Sequence, residues 1–347
     1  MISADPTALH FNSHQARLLD RACKHLAVHG GPDTQGTAVL ARRWAAALYK
    51  KLDATQRAAV DTFVAGFGIA LYFQKMKIIE SDHTPDQLPA LSDLKRDLAT
   101  LYLASRNQIL LNLVQHRSFA FDIDNQSKQV RLVGNFKGGG RVSLPNEKVT
   151  DQVELSSHAG VCLGLHTEPP YYCAIKPEAG HSPAPSSLIL TARWNILNEP
   201  TRILPLPSVV ERLNGIEALS LASPSFMYTR SECLTAAPNE KSIPGSILQP
   251  DSQSGFAIRF SAYRHSPIPH SSKLVTDAFR SLHTLIGSSR PLEYVLQPDS
   301  ALLIDNTRTL HGRDTVKDNR RLLIRLFGYC STATPIVLQP DPLVVRG

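Results

Sequence analysis

The sequence predicts a mainly β protein backed by helices, an α+β barrel or sandwich, and three observations carry that expectation. The period of the apolar residues changes once, from helical spacing up to about residue 117 to strand spacing beyond it. The β-type runs are dense and lack the regular helix alternation of a doubly wound sheet. The chain has 347 residues, 42% of them hydrophobic and 19% charged, enough apolar surface for a large core and too little charge for disorder. Length alone would allow two domains.

Ser13 can cap a first helix whose apolar positions Leu18, Leu19, Ala22, Cys23 and Leu26 follow the 3.6-residue period. Residues 37–52 and 53–67 read in the same way. A longer helix opens at Ser92, and Leu94, Leu98, Leu101, Leu103, Ile109, Leu110 and Leu113 give it an apolar face wide enough to lie across a sheet. Strands follow at 119–123, 129–133, 161–166, 188–197, 257–263, 301–305 and 322–329, with a glycine turn at 138–140 and helical segments at 207–213 and 272–285. Residues 223–255, rich in Ser, Pro, Gln and Asn, read as a loop or lid insertion. In the last strand Leu323, Arg325, Phe327 and Tyr329 face one way, and Leu322, Ile324 and Leu326 the other. Both faces are apolar, so Arg325 is a lone charge in a buried strand and needs an anion.

The net charge of +7 is spread along the chain, without a run of five or six like charges, which argues against a dedicated nucleic-acid surface and suits an anionic small substrate. Five cysteines with no C-x-x-C pair, in a chain that needs no staples, point to a reducing cytoplasm. The first residues lack the basic and apolar regions of a leader, and the longest uncharged stretch, 326–340, is too short and too proline-rich to span a bilayer. A soluble cytoplasmic protein with no membrane partner is expected. No nucleotide-binding glycine loop and no serine-hydrolase elbow occurs.

Chemistry concentrates in two places. His166-Thr167-Glu168 is the H-x-[DE] pattern, and on a strand positions i and i+2 point the same way, so an imidazole and a carboxylate converge on one ion. Alone this is weak, because with 13 histidines about one such pair arises by chance. The second place is 305–314, where the strand 301–305 delivers His311 just past its end and the chain returns to the strand holding Arg325. Two histidines and one carboxylate that leave coordination positions open form the facial triad of non-heme Fe(II) oxygenases. Arg325 would offer a planar fork to the remote carboxylate of a metal-chelating cosubstrate.

Taken together, His166-x-Glu168, the string Asp305-Asn306-x-Arg308-x-x-His311-Gly312-Arg313, and Arg325 fourteen residues after His311 resemble the clavaminate synthase-like branch of the Fe(II)/2-oxoglutarate-dependent oxygenases. Glu168 in place of Asp favours that branch over the taurine-dioxygenase branch. The resemblance spans 157–329, about half the chain. It implies a double-stranded β-helix, or jelly roll, over 117–347, flanked by a mainly helical 1–116, the whole forming one domain over 1–347. It also implies that His166, Glu168 and His311 bind Fe(II), and that Arg325, with Thr201 of Glu199-Pro200-Thr201-Arg202, binds 2-oxoglutarate, with O2 as the second cosubstrate. The implied activity is hydroxylation, or desaturation, epoxidation or ring closure, of an amino acid or a related small molecule of specialised metabolism.

Where relatives that act on basic amino acids carry carboxylates, this chain has Ser261 and Tyr263, followed by Arg264. A neutral or acidic substrate is therefore expected. The alternatives are the same chemistry on a protein, a carrier-bound residue or a nucleic acid, and a jelly roll that binds without turnover. Tyr171 and Tyr172 are placed at the pocket mouth or in simple packing, and His158 and His181 outside any metal site.

Overall fold

The computed structural model of the chain describes residues 5–77, 82–140, 156–168, 176–178, 180–229, 244–251 and 255–347. Its first part runs β1 (Thr7–His10), α1 (Ser13–Val28), α2 (Thr37–Tyr49), α3 (Ala54–Val64), β2 (Ala70–Gln74), α4 (Leu91–Leu94) and α5 (Leu98–Leu113). Next come β3 (Arg117–Phe121), β4 (Arg131–Gly134), β5 (Leu163–His166), β6 (Ser187–Trp194), β7 (Pro200–Pro205), α6 (Pro207–Val210), α7 (Gly215–Leu221), β8 (Phe226–Tyr228), β9 (Leu248–Asp251), β10 (Gly255–Ile258) and β11 (His265–Pro267). The last stretch is α8 (Lys273–Ser288), β12 (Leu292–Val295), β13 (Ala301–Asp305), β14 (Thr309–Arg313), β15 (Leu322–Tyr329), β16 (Val337–Pro340) and β17 (Leu343–Val345).

A major sheet takes the order β1-β2-β13-β6-β15-β3-β17-β16, with β4 also paired to β15, and a minor sheet the order β12-β7-β14-β5. The two sheets close on a shared interior, to which β6 gives Leu188 and Leu190, β7 Ile203, β13 Leu302 and β15 Leu323 and Phe327. This is the jelly roll, and the α+β class is as expected. Outside the major sheet lie α1, α2 and α5, on which Ile189, Leu303, Leu322, Ile324 and Leu326 pack. Outside the minor sheet, Leu204 and Leu310 meet α6, α7 and α8. Strand alternation does the sorting, because a residue one position along points to the opposite layer.

Helix α5 is the joint between helices and sheet. Asp97 caps it by accepting from Thr100 N at 3.0 Å, and its middle is buried on all sides between α1, α2 and the sheet. Each fully buried leucine or isoleucine there contributes roughly 1.5–3 kcal/mol. Its buried polar side chains are answered by the sheet: Asn107 Nδ2 donates to Ile324 O at 3.1 Å and Gln108 Nε2 to Ser118 Oγ at 3.0 Å.

The structure corrects several boundaries. Asn12, not Ser13, caps α1, and it forms a reciprocal capping box with Gln15. The single helix expected from Ser92 is two, because Asp97 restarts the chain with its own cap. The N-terminal part is not helical throughout: β1 and β2 pair in parallel and extend the major sheet, burying Leu9, Leu71 and Phe73. Four- and five-residue strands between helices show too few repeats for a period of two to be visible. Of the expected insertion, 230–243 and 252–254 lie outside the described residues, and its flanks are β8, β9 and β10.

Candidate metal centre

His166 is the last residue of β5 and pairs across the minor sheet with His311, which lies inside β14 rather than beyond a strand end. Gly312 makes this pairing possible: a Cβ there would stand 2.7 Å from Leu163 O. The imidazole centroids are 4.4 Å apart. His166 Nδ1 donates to Gly164 O at 2.7 Å, which fixes the tautomer and leaves Nε2 with its lone pair free.

Glu168 follows two residues later on an extended segment clamped at Thr167, whose N–H donates to Phe260 O at 2.8 Å and whose hydroxyl accepts from Phe260 N at 3.1 Å. The Glu168 N–H donates to Asn306 Oδ1 at 2.9 Å, and Asn306 Nδ2 in turn donates to Pro185 O at 2.9 Å. So the Asn of the Asp-Asn-x-Arg string positions the carboxylate, while Asp305 and Arg308 shape the turn between β13 and β14. His311 Nε2 lies 3.5 Å from Glu168 Oε1. One ligand atom from each of His166, Glu168 and His311 can be chosen so that all lie within 4.8 Å of one another, and no other such group occurs among the described residues.

Arg325 Nη1 donates to Glu168 Oε1 at 2.5 Å, and its Nη2 stands 3.5 Å from Asp124 Oδ2. Asp124 also accepts from Arg131 Nη1 at 2.8 Å, and the Arg325 guanidinium lies 4.0 Å over the Phe327 ring. Burial would raise the Glu168 carboxyl, but Arg325, with His311 as hydrogen-bond donor, holds it well below the usual carboxylate range. Burial, helped by the neighbouring His311, pushes His166 down to about 4, so its ring stays neutral. A carboxylate beside two imidazoles is the donor set of a divalent transition metal.

These groups line one cavity with Thr201, walled by Val133, Leu163, Leu188, Leu190 and Leu323. Thr201, on β7, is buried. None of the expected substrate residues Ser261, Tyr263 and Arg264 is among the described residues lining this cavity. Ser261 is buried and bridges His166, whereas Tyr263 is 58% exposed. Tyr171 and Tyr172 lie outside the described residues. His158 and His181 stand apart from the cluster.

Two arginines stand on the wall: Arg313, which the sequence shows only as the end of the Asp305–Arg313 string, and Arg321, which no motif marks. Burial pushes Arg313 down to about 9 and Arg321 down to about 10. The signal was there: 321, 323 and 325 share one parity, as do 311 and 313.

No family model matches the sequence, and no curated protein does. Solved structures match over nearly the whole chain. Asparagine oxygenase in complex with Fe(II), 2S,3S-3-hydroxyasparagine and succinate superposes with a TM-score of 0.72 at 18% identity, covering 98% of this chain and 99% of that one. The fold is the asparagine oxygenase fold. The non-heme iron oxygenase OrfP, in complex with Fe, succinate and (3S)-hydroxy-L-Arg, matches with a TM-score of 0.65 at 17% identity over 93% and 94% of the two chains. Its complex with Fe and alpha-ketoglutaric acid matches with a TM-score of 0.64 at 18% identity, over 92% and 93%. What is shared at these identities is the fold.

Proposed function

We propose that this chain is an Fe(II)- and 2-oxoglutarate-dependent oxygenase that hydroxylates, or otherwise oxidises, an unactivated C–H bond of an amino acid or an amino-acid-derived small molecule. The carrying observation is the His166, Glu168 and His311 cluster facing one cavity beside the buried fork of Arg325. The structural neighbours support the reading, being oxygenases held with iron, with succinate or alpha-ketoglutaric acid, and with hydroxylated asparagine or arginine. The chemistry such a centre supplies is O2-dependent oxidation of a C–H bond coupled to conversion of 2-oxoglutarate to succinate and carbon dioxide.

The chain's own groups divide the work. His166 Nε2, His311 and Glu168 would hold the ion on one side and leave the cavity side open. Arg325 would release Glu168 and turn its fork to the remote carboxylate of 2-oxoglutarate, with Asp124 retaining its second nitrogen and Thr201 donating a hydroxyl. The leucine walls exclude water from the reacting end. The substrate is neutral or acidic: Glu168 is the one carboxylate among the described residues lining the cavity, and it is committed to the ion. The reading places the chain in a reducing cytoplasm as one unit, supported by the free thiols of Cys23, Cys162 and Cys330 and by α5 joining helices to sheet.

Anaerobic calorimetric titration of the full chain with Fe(II) tests the assignment. One ion per chain is expected, with binding lost in His166→Ala and His311→Ala. Binding unaltered by either substitution would contradict it.

A further inference from the structure

Arg325 shares its cavity with two other cations. Arg313, two residues after His311 on β14, and Arg321, four before Arg325, both line the wall near Thr201 and Leu323. Both are more than nine-tenths buried. Arg313 donates from Nη2 to the carbonyls of Ala159 and Ser156, which leaves Nε and Nη1 buried without an acceptor. The Arg321 side chain makes no hydrogen bond or ion pair among the described residues, and its Nε is fully enclosed. Glu199 is the acid whose charge reaches both Arg313 and Arg321, but its carboxylate accepts from the N–H groups of Lys317 and Asp318, each at 3.0 Å, and makes no hydrogen bond to either guanidinium.

A guanidinium does not escape burial by losing its proton, so two of them side by side with buried nitrogens left unpaired call for an anion from outside the chain. Planar forks match a carboxylate. The same two side chains also line an outer hollow with Asn198, Glu199 and Asp314, so they stand between that hollow and the metal cavity. We propose that Arg313 and Arg321 form a carboxylate subsite separate from Arg325, and that it holds an acidic group of the organic substrate. The inference rests on the reading above that Arg325 takes the carboxylate of 2-oxoglutarate, which leaves this pair for a second one.

The test uses matched acids and amides. The full chain, loaded anaerobically with Fe(II) and 2-oxoglutarate, is titrated calorimetrically with L-aspartate against L-asparagine and with L-glutamate against L-glutamine. One acid should bind at least about tenfold more tightly than its amide. Arg321→Met should abolish that preference while leaving the affinity for 2-oxoglutarate within about twofold. Should the Met variant fail to fold, Arg321→Lys, which keeps the charge and loses the fork, reports the same loss of preference. No acid preference in the wild type, or a weakened 2-oxoglutarate affinity in the Arg321 variants, overturns the proposal. An Arg321-dependent acid preference that persists when 2-oxoglutarate does not bind through Arg325 sustains the subsite and refutes the cosubstrate assignment instead.

Discussion

The two faces of β15 are equally buried and yet differently furnished. On the helix side Leu322, Ile324 and Leu326 meet α5, whose one deeply buried cation, Arg106, is answered by its own chain at both terminal nitrogens, Nη1 donating to Pro298 O at 2.7 Å and Nη2 to Thr191 Oγ1 at 2.6 Å, with only Nε unpaired. On the cavity side Leu323 and Phe327 frame Arg325, whose nearest partner is a carboxylate that a metal would claim, and Arg321 has no acceptor at all among the described residues. Burial does not separate the two sides; the identity of the partners does. A buried charge satisfied by main-chain carbonyls belongs to the architecture, and one left facing a hollow belongs to whatever enters it.

The largest effect should come from the cavity side. His166→Ala or His311→Ala should lower iron-dependent succinate formation by more than about a hundredfold, since the loss of a direct ligand exceeds the effect of losing its supporting partner. The melting temperature should barely move, because these imidazoles would hold an ion and not the core. Substitution across the strand should show the reverse pattern. Arg106→Met should cost on the order of 3 kcal/mol of stability, read by denaturant unfolding, by orphaning the acceptors it satisfies, whereas Arg321→Met should change stability by less than about 1 kcal/mol.

A smaller effect separates the forks from their charge. Arg325→Lys should weaken 2-oxoglutarate binding by about 2 kcal/mol, roughly thirtyfold, at unchanged metal affinity. The last effect is on the helix side and is spread over pH. His116, packed against Phe63 and hydrogen-bonded to Ser187 Oγ at 2.7 Å, is pushed by burial from 6.5 down to about 4. The unfolded chain therefore takes up the proton first as pH falls. The stability owed to the neutral ring is complete above pH 6.5 and drains away toward pH 4, at up to about 1.4 kcal/mol per pH unit. His116→Gln should flatten that part of a stability profile.

The same contrast explains what could be read from the sequence. Strands β13 and β15 were legible to the residue, because each is a near-continuous apolar run bounded by polar residues, and the 166–168 and 305–325 motifs mark His166, Glu168, His311 and Arg325 in the sequence alone. Strands β1 and β2 were not legible, since four and five residues set among helices show too few repeats of the strand period. The roles of Asn306 and Asp124 were hidden because each acts through a partner more than a hundred residues distant. Ser261 was placed near the site by pattern, but Tyr263 shows that pattern does not fix which way a turn residue points once its strand has ended at Ile258.

The most direct measurement supplies the full chain with Fe(II), 2-oxoglutarate and O2, together with each of a set of neutral, acidic and basic amino acids, and follows succinate and substrate mass. The structure predicts iron-dependent succinate, increased by a neutral or acidic amino acid that gains one oxygen atom, and lost in His311→Ala. Succinate formation that ignores iron, or that persists unchanged in His311→Ala, would contradict the assignment of the cluster.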